Sequence, residues 1–245
     1  MRGSKLFHVK IVFLFFFSLS CTLLSFSVVA SEERLKAGLA AMKREHYATA
    51  LRAFRAEADE GDPQAQNNIG YMYEYGWGVP QDYNKAMEWY KKAAKKSLAE
   101  AEYNVGILYH NGYGVAKNNS EAKNWFEKAA RKNFRDAEFM MGNIFQNGWG
   151  VKASPKRALY WFKKAAKQGL AKSQFMTGFL LLSGEIDDEP EAVKGYAWTE
   201  VSRVNGYGGA QEVLDYASLS MKETQIRMAK ALARQCLASN LKQCP

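Results

Sequence analysis

The sequence predicts an all-α fold, a solenoid of antiparallel helix pairs. Three observations predict it: a 36-residue internal period, two amphipathic stripes in each period, and cap residues where the stripes begin and end. Ala65, Ala101 and Ala137 carry the period, as do Gly70, Gly106, Gly142 and Gly178, then Gly76, Gly112, Gly148 and Gly184, then Trp89, Trp125 and Trp161. A unit this short cannot bury its apolar side alone, so neighbours must cover one another.

The first stripe, helix A, is Ala65, Ile69, Met72 and Tyr73, at the i, i+4, i+7, i+8 spacing of one helix face. It returns as Val105, Leu108 and Tyr109, and as Met141, Ile144 and Phe145. Gly70 and its counterparts lie inside this helix at a cost in propensity, which implies that a bulky aromatic of the partner helix lies against them. The second stripe, helix B, is Ala86, Trp89, Tyr90, Ala93 and Ala94, returning from Ala122 and from Ala158. Asp82, Asn118 and Ser154 are placed to accept from its first-turn N–H groups, and Pro155 suits the first helical position. Asn133 and Gly169 tolerate the left-handed turn that closes a helix, and Leu98, Phe134 and Leu170 stand where an apolar residue folds back on the last turn.

The Gly-x-Gly-Val segments between the helices, such as Gly76-Trp77-Gly78-Val79, follow a helix, lack a third glycine and recur. They read as turns, not phosphate loops. Toward the N-terminus, Ala50, Phe54 and Ala58 keep register with Ala86, Tyr90 and Ala94, whereas Gly38 precedes Gly70 by 32 residues, so this hairpin has a shorter turn. A fourth unit keeps helix A, gains one residue and recovers register at Trp198. A last pair follows, its second helix opened by a Ser220-x-x-Glu223 capping box. The plan is a leader over 1–30, a helical hairpin over 31–61, four repeats over 62–207 (62–97, 98–133, 134–169 and 170–207) and a capping helix pair over 208–245.

Arg2, Lys5 and Lys10 precede an uncharged stretch from Ile11 to Ala30, the pattern of a secretory signal peptide with cleavage after Ala30. Kept uncleaved, the same stretch is long enough to anchor the chain, and would be its membrane contact. Both readings place the remainder outside the cytoplasm, periplasmic or secreted. The chain has 34 Lys+Arg and 25 Asp+Glu, and removing the leader lowers the net charge from +9 to +6. So small an excess does not indicate a nucleic-acid partner.

The run in residues 65–97, Ala-Gln-x-Asn-Ile-Gly-Tyr-Met-Tyr followed by Tyr-Gly-x-Gly-Val-Pro-Gln-Asp-Tyr-x-Lys-Ala-x-x-Trp-Tyr-x-Lys-Ala-Ala, resembles the Sel1-like repeat. The hairpin over 31–61 is similar to the related tetratricopeptide unit. The resemblance implies a right-handed α/α superhelix, an adaptor role in protein complexes, and helix A on the inner, concave surface. Many bacterial relatives are exported.

On that geometry the partner-binding candidates are Asn67, Tyr71, Glu74 and Tyr75 in the first repeat, Tyr103, Ile107, His110 and Asn111 in the second, and Phe139, Asn143, Gln146 and Asn147 in the third. Aromatic and amide groups outnumber charges, which suits a protein or peptide partner held by stacking and hydrogen bonds. Tyr103 and Phe139 equally suit packing between helices. The opposite, convex surface carries Lys91, Lys92, Lys95 and Lys96, then Lys128, Arg131 and Lys132, then Lys163, Lys164 and Lys167. Cations near helix C-termini explain this band without a ligand, and an anionic envelope component is the other candidate.

Cys236 and Cys244 are the cysteines left after the leader, and an oxidising compartment pairs them. Eight residues along a straight helix span about 12 Å, too far for a bond, so the chain must turn back near Ser239-Asn240. His46 and His110 lie in different units without a nucleophile at a recognisable spacing, and the acidic run Asp187, Asp188, Glu189 and Glu191 lacks the spacing of a calcium loop. The expectation is a non-catalytic scaffold in the bacterial cell envelope with no cofactor and no metal. The rival readings are a β-lactam-interacting, hydrolase-like relative and a protein attached to cell-wall or exopolysaccharide.

Overall fold

A computed structural model describes residues 31–186 and 191–245. The leader, its cleavage after Ala30, and Asp187, Asp188 and Glu189 lie outside the described residues. Among those described there is no strand, and the fold is an all-α repeat solenoid. The chain divides into two compact units, one ending at Lys96 and the other starting at Ser97.

The first unit contains α1 (31–43), α2 (Tyr47–Asp59), α3 (Pro63–Tyr75) and α4 (Tyr83–Lys95). Its core is Ala50, Phe54, Ala58, Ala65, Ile69 and Met72. The second contains α5 (Ala99–Asn111), α6 (Asn119–Arg131), α7 (Arg135–Asn147), α8 (Pro155–Lys167), α9 (Ala171–Ser183), α10 (Ala192–Val204), α11 (Ala210–Ser220) and α12 (Glu223–Ala238). Within it each helix packs on the next from α5 to α11. A continuous core runs through Ala122, Phe126, Met141, Ile144, Phe145, Phe162 and Leu180.

The caps fall where the residue types place them. Asp82 accepts from Lys85 N (3.0 Å), Asn118 from Glu121 N (3.0 Å) and Ser154 from Arg157 N (3.4 Å), each satisfying an N–H that has no intrahelical acceptor. Asn133 turns left-handed at φ 58°, after which Phe134 N reaches back to Ala129 O at 3.2 Å.

The interior glycines explain how the helices of a pair approach one another. A Cβ on Gly70 would meet Tyr90 Cδ1 at 2.5 Å, and one on Gly106 would meet Phe126 Cδ1 at 2.7 Å. Gly142 faces Phe162 and Gly38 faces Phe54 in the same way. The aromatic over the glycine is therefore the residue after each recurring tryptophan. The tryptophans themselves stand at the edge of the stripe: Trp89, Trp125 and Trp161 are half-buried, while Tyr90, Phe126 and Phe162 are fully buried.

The last pair differs from its expectation twice. Ser220 does not open α12; its hydroxyl donates to Ala217 O (3.1 Å), and Gln225 Oε1 accepts from Lys222 N (2.9 Å) at the true helix start. Nor is α12 a simple hairpin partner of α11, because its main packing is against α10. Beyond α12 the chain turns back at Asn240 (φ 52°) and Leu241 (φ 65°), and Leu241 N bonds Cys236 O at 2.9 Å. This brings Cys236 and Cys244 to a Cα–Cα distance of 4.5 Å, joined as a disulfide. The returning segment also gives Pro245 O a bond from the indole Nε1 of the fully buried Trp198, at 2.8 Å.

Candidate functional site

On α3 the four candidate positions separate. Asn67 is fully buried and belongs to the interior, a correction to its expected place on an open surface. Tyr71 and Glu74 are half-buried, and Tyr75 is 53% exposed. Tyr71 stacks on Tyr75 (6.2 Å between ring centroids) and meets Tyr90 edge-on at 5.6 Å; Tyr75 stacks on Trp77 at 5.0 Å, and Trp77 on Tyr47 at 5.6 Å. Tyr90 donates its hydroxyl to Glu74 Oε2 at 2.5 Å. Burial raises the Glu74 carboxyl above the usual range, only partly offset by that bond. Burial and the Glu74 charge likewise push the Tyr90 and Tyr75 phenols up.

On α5, Tyr103 lies against Phe126 (5.6 Å) and Phe134 (5.4 Å), so its ring serves the core of its own unit. Ile107 is half-buried in the same cluster. His110 Nδ1 donates to Asn119 Oδ1 at 3.0 Å, and its ring meets Trp149 at 4.6 Å, which ties α5 to the start of α6 and to the turn after α7. Asn111 is exposed. On α7, Phe139 packs on Phe162 at 5.6 Å with Lys172 Nζ 5.0 Å from its centroid. Asn143 and Gln146 are half-buried; Gln146 Nε2 reaches Glu185 at 3.4 Å, and the exposed Asn147 donates to Asn143 O at 2.9 Å.

Much of the basic band has work inside the chain. Lys92 and Lys128 each hold Nζ 3.8 Å from the ring centre of Trp89 and Trp125, and Lys164 sits 5.2 Å from Trp161. Arg131 pairs with Glu127 at 2.7 Å, Lys132 with Glu102 at 2.7 Å, and Lys164 with Glu138 at 2.9 Å. Burial lowers the pKa of Lys163.

One buried polar position was missed by the sequence reading. The residue after Ala65, Ala101 and Ala137 is Gln66, Glu102 and Glu138, and Gln174 holds the same place after Ser173; all four are buried. Gln66 Nε2 donates to Ala58 O and Gln174 Nε2 to Ala166 O, each at 3.1 Å, so both glutamines occupy the last-turn carbonyl of the preceding B helix. Glu138 accepts from Gln168 Nε2 at 2.7 Å. The signal was available: a polar residue recurring every 36 positions beside the apolar stripe. A groove of about 460 Å3, lined by Phe179, Leu182, Val213, Tyr216 and Met221, was likewise not anticipated. Among the described residues no cluster of three or more His, Cys, Asp or Glu is arranged to hold a metal, and no helix is long and apolar enough to cross a membrane.

The Sel1 repeat family model matches residues 63–98, 99–134 and 135–170. These are Sel1 repeats. A Sel1 repeat protein from Oxalobacter formigenes is similar at 28% identity and a TM-score of 0.69, over 80% of this chain and 84% of that one. The antigen c5321 of uropathogenic Escherichia coli, described as protective and as displaying an SLR fold, is similar at 27% identity and a TM-score of 0.52, over 80% of this chain and 50% of that one. A Sel1 repeat protein from Klebsiella pneumoniae shares the fold at 20% identity and a TM-score of 0.52, over 77% and 93% of the two chains. Comparison with curated proteins finds no match. Sel1 repeats are generally a non-catalytic fold that scaffolds protein interactions. The α9–α10 pair lies beyond the three matched repeats.

Proposed function

We propose that this Sel1 array is a non-catalytic scaffold of the bacterial cell envelope, binding a protein or peptide partner on the solvent side of its A helices. The carrying observation is a division of labour along each repeat. Residues that build the helix pair recur every 36 positions, whereas neighbouring A-helix residues with half-exposed side chains do not: Tyr71, Ile107 and Asn143 share one register, and Glu74, His110 and Gln146 another. Packing has no use for that variation, and recognition does. The paired Cys236 and Cys244 and the signal-like leader support a location outside the cytoplasm.

The test places a photo-crosslinking amino acid at Tyr71 or Asn143, and at Lys128 on α6 as a control. The expected result is one discrete protein adduct shared by the first two sites and absent from the third. Adducts that are the same at all three would end the proposal. Cell fractionation checks the location, with the protein expected in the periplasmic or secreted fraction.

A further inference from the structure

We propose that the aromatic cluster around Glu74 binds an arginine side chain presented by the partner. This deepens the scaffold reading and rests on it. Three other carboxylates buried in the molecule each have a cation: Glu57 pairs with Arg34, Glu102 with Lys132 and Glu138 with Lys164. Glu74 is half-buried, and among the described residues no ion pair includes it. A desolvated carboxylate without a counter-charge is a cost that the fold elsewhere avoids.

The surroundings of Glu74 are aromatic. Tyr90 fixes one carboxylate oxygen, Tyr71 lies edge-on to Tyr90, and Tyr71, Tyr75, Trp77 and Tyr47 follow one another in near-parallel steps, with interplanar angles of 24°, 24° and 10°. The 53% exposure of Tyr75 opens this run to solvent. The ring of Tyr90 closes the pair, and Tyr47 and Trp77 pack on the core, but the rest of this set is not needed to build a repeat. Where Tyr90 closes the first pair, Phe126 and Phe162 do so without a hydroxyl, and the Glu74 position becomes His110 and Gln146. The hydroxyl, the carboxylate and the flanking tyrosines are thus particular to this one repeat.

Aromatic faces beside an uncompensated carboxylate select a cation, and their geometry selects guanidinium over ammonium. A guanidinium is planar, stacks on aromatic faces, gives up its hydration more easily than an ammonium, and forks onto a carboxylate.

The test is an NMR titration of the purified, 15N-labelled protein with acetyl-Gly-Arg-Gly-amide, set against the same tripeptide carrying citrulline or lysine. The expected shifts are confined to the amides of Glu74, Tyr75 and Gly76 and the indole N–H of Trp77. Citrulline, equal in shape but uncharged, should bind at least about tenfold more weakly, and lysine several-fold more weakly. Glu74→Gln should weaken arginine at least about tenfold, and Tyr75→Ala several-fold. The citrulline comparison uses the unaltered protein, so it stands even if a variant folds poorly. Equal responses to arginine and citrulline, equal responses to arginine and lysine, shifts located elsewhere, or no shifts would each overturn the proposal. Crosslinking from Asn143 is independent of this cluster, so a partner captured there with no arginine response would sink the inference and leave the scaffold reading standing.

Discussion

The pairs α7–α8 and α9–α10 have the same helix order and lengths but close by different means. In the first, Phe162 lies across Gly142. In the second, the residue opposite Gly178 is Thr199, and a Cβ on Gly178 would also come within 2.8 Å of Gly195 O and Thr199 N. The aromatic has gone, and two backbones touch through glycines. Around them buried hydroxyls are mixed into the apolar stripe: Ser173, Thr177, Thr199 and Ser202 lie among Leu180, Leu181, Ala197 and Val201, with Ser202 Oγ donating to Ala171 O at 2.7 Å. The hairpin therefore tolerates either a ring over a glycine or a small-residue seam. The family model matches the repeats that use the ring.

The harshest way to break the first kind of closure is Phe162→Ala, which should cost about 3–5 kcal/mol by denaturant unfolding, while Trp161→Ala at the stripe's edge should cost about half as much. Equal losses would contradict the assignment of Phe162 to the glycine. The second kind relies on its clasp. Cys244→Ser should lower stability by about 2–3 kcal/mol, with faster hydrogen exchange in α10 and α12 and none in α7. Loosening spread evenly would show that the clasp does not serve the seam.

A gentler pair of substitutions sharpens the contrast. Gly142→Ala and Gly178→Ala should each cost about 1–3 kcal/mol. Trimming the ring with Phe162→Leu should recover much of the first loss, because the obstruction is a side chain. Thr199→Ala should recover little of the second, because backbone atoms remain in the way. The smallest effect belongs to Tyr90→Phe, expected within about 1 kcal/mol of the unaltered protein, since a ring is all that closure needs.

Glu74 adds a sign to this last test. Its folded-state pKa is raised above 4.5, so stability from this group is greatest below 4.5 and falls as pH rises through the window between 4.5 and the raised value. Glu74→Gln should therefore melt no lower than the unaltered protein at pH 7. Below pH 4.5 the two should converge.

Periodicity and caps made most of the helices legible before any coordinates, because a 3.6-residue stripe and a hydrogen-bonding side chain are local properties. The pairing of Cys236 with Cys244 was legible because they are the cysteines left after the leader, and a bond between residues eight apart then required the chain to turn back near Ser239-Asn240. What was hidden depends on partners far along the chain. Trp89 and Tyr90 are adjacent, and a stripe alone does not say which of them meets Gly70. Asn67 reads as an open polar position until its burial is seen, and the bond from Trp198 to Pro245 spans 47 residues. The candidate site was legible in part. Tyr71, Glu74 and Tyr75 do lie together, but Tyr103 and Phe139 are spent on packing, and the hydroxyl of Tyr90 enters from the other helix.

The ring-over-glycine lock has a genetic corollary. Because each lock is made within a single helix pair, and those at Gly70, Gly106 and Gly142 recur every 36 residues, a whole module can in principle be spliced in or deleted without shifting the register of those that remain. A change of length inside a pair is taken up in its turn: Gly38 and Phe54 stand 16 residues apart where Gly70 and Tyr90 stand 20 apart, and both glycines still meet their rings. Such an array lengthens in quanta, as a ruler gains whole divisions.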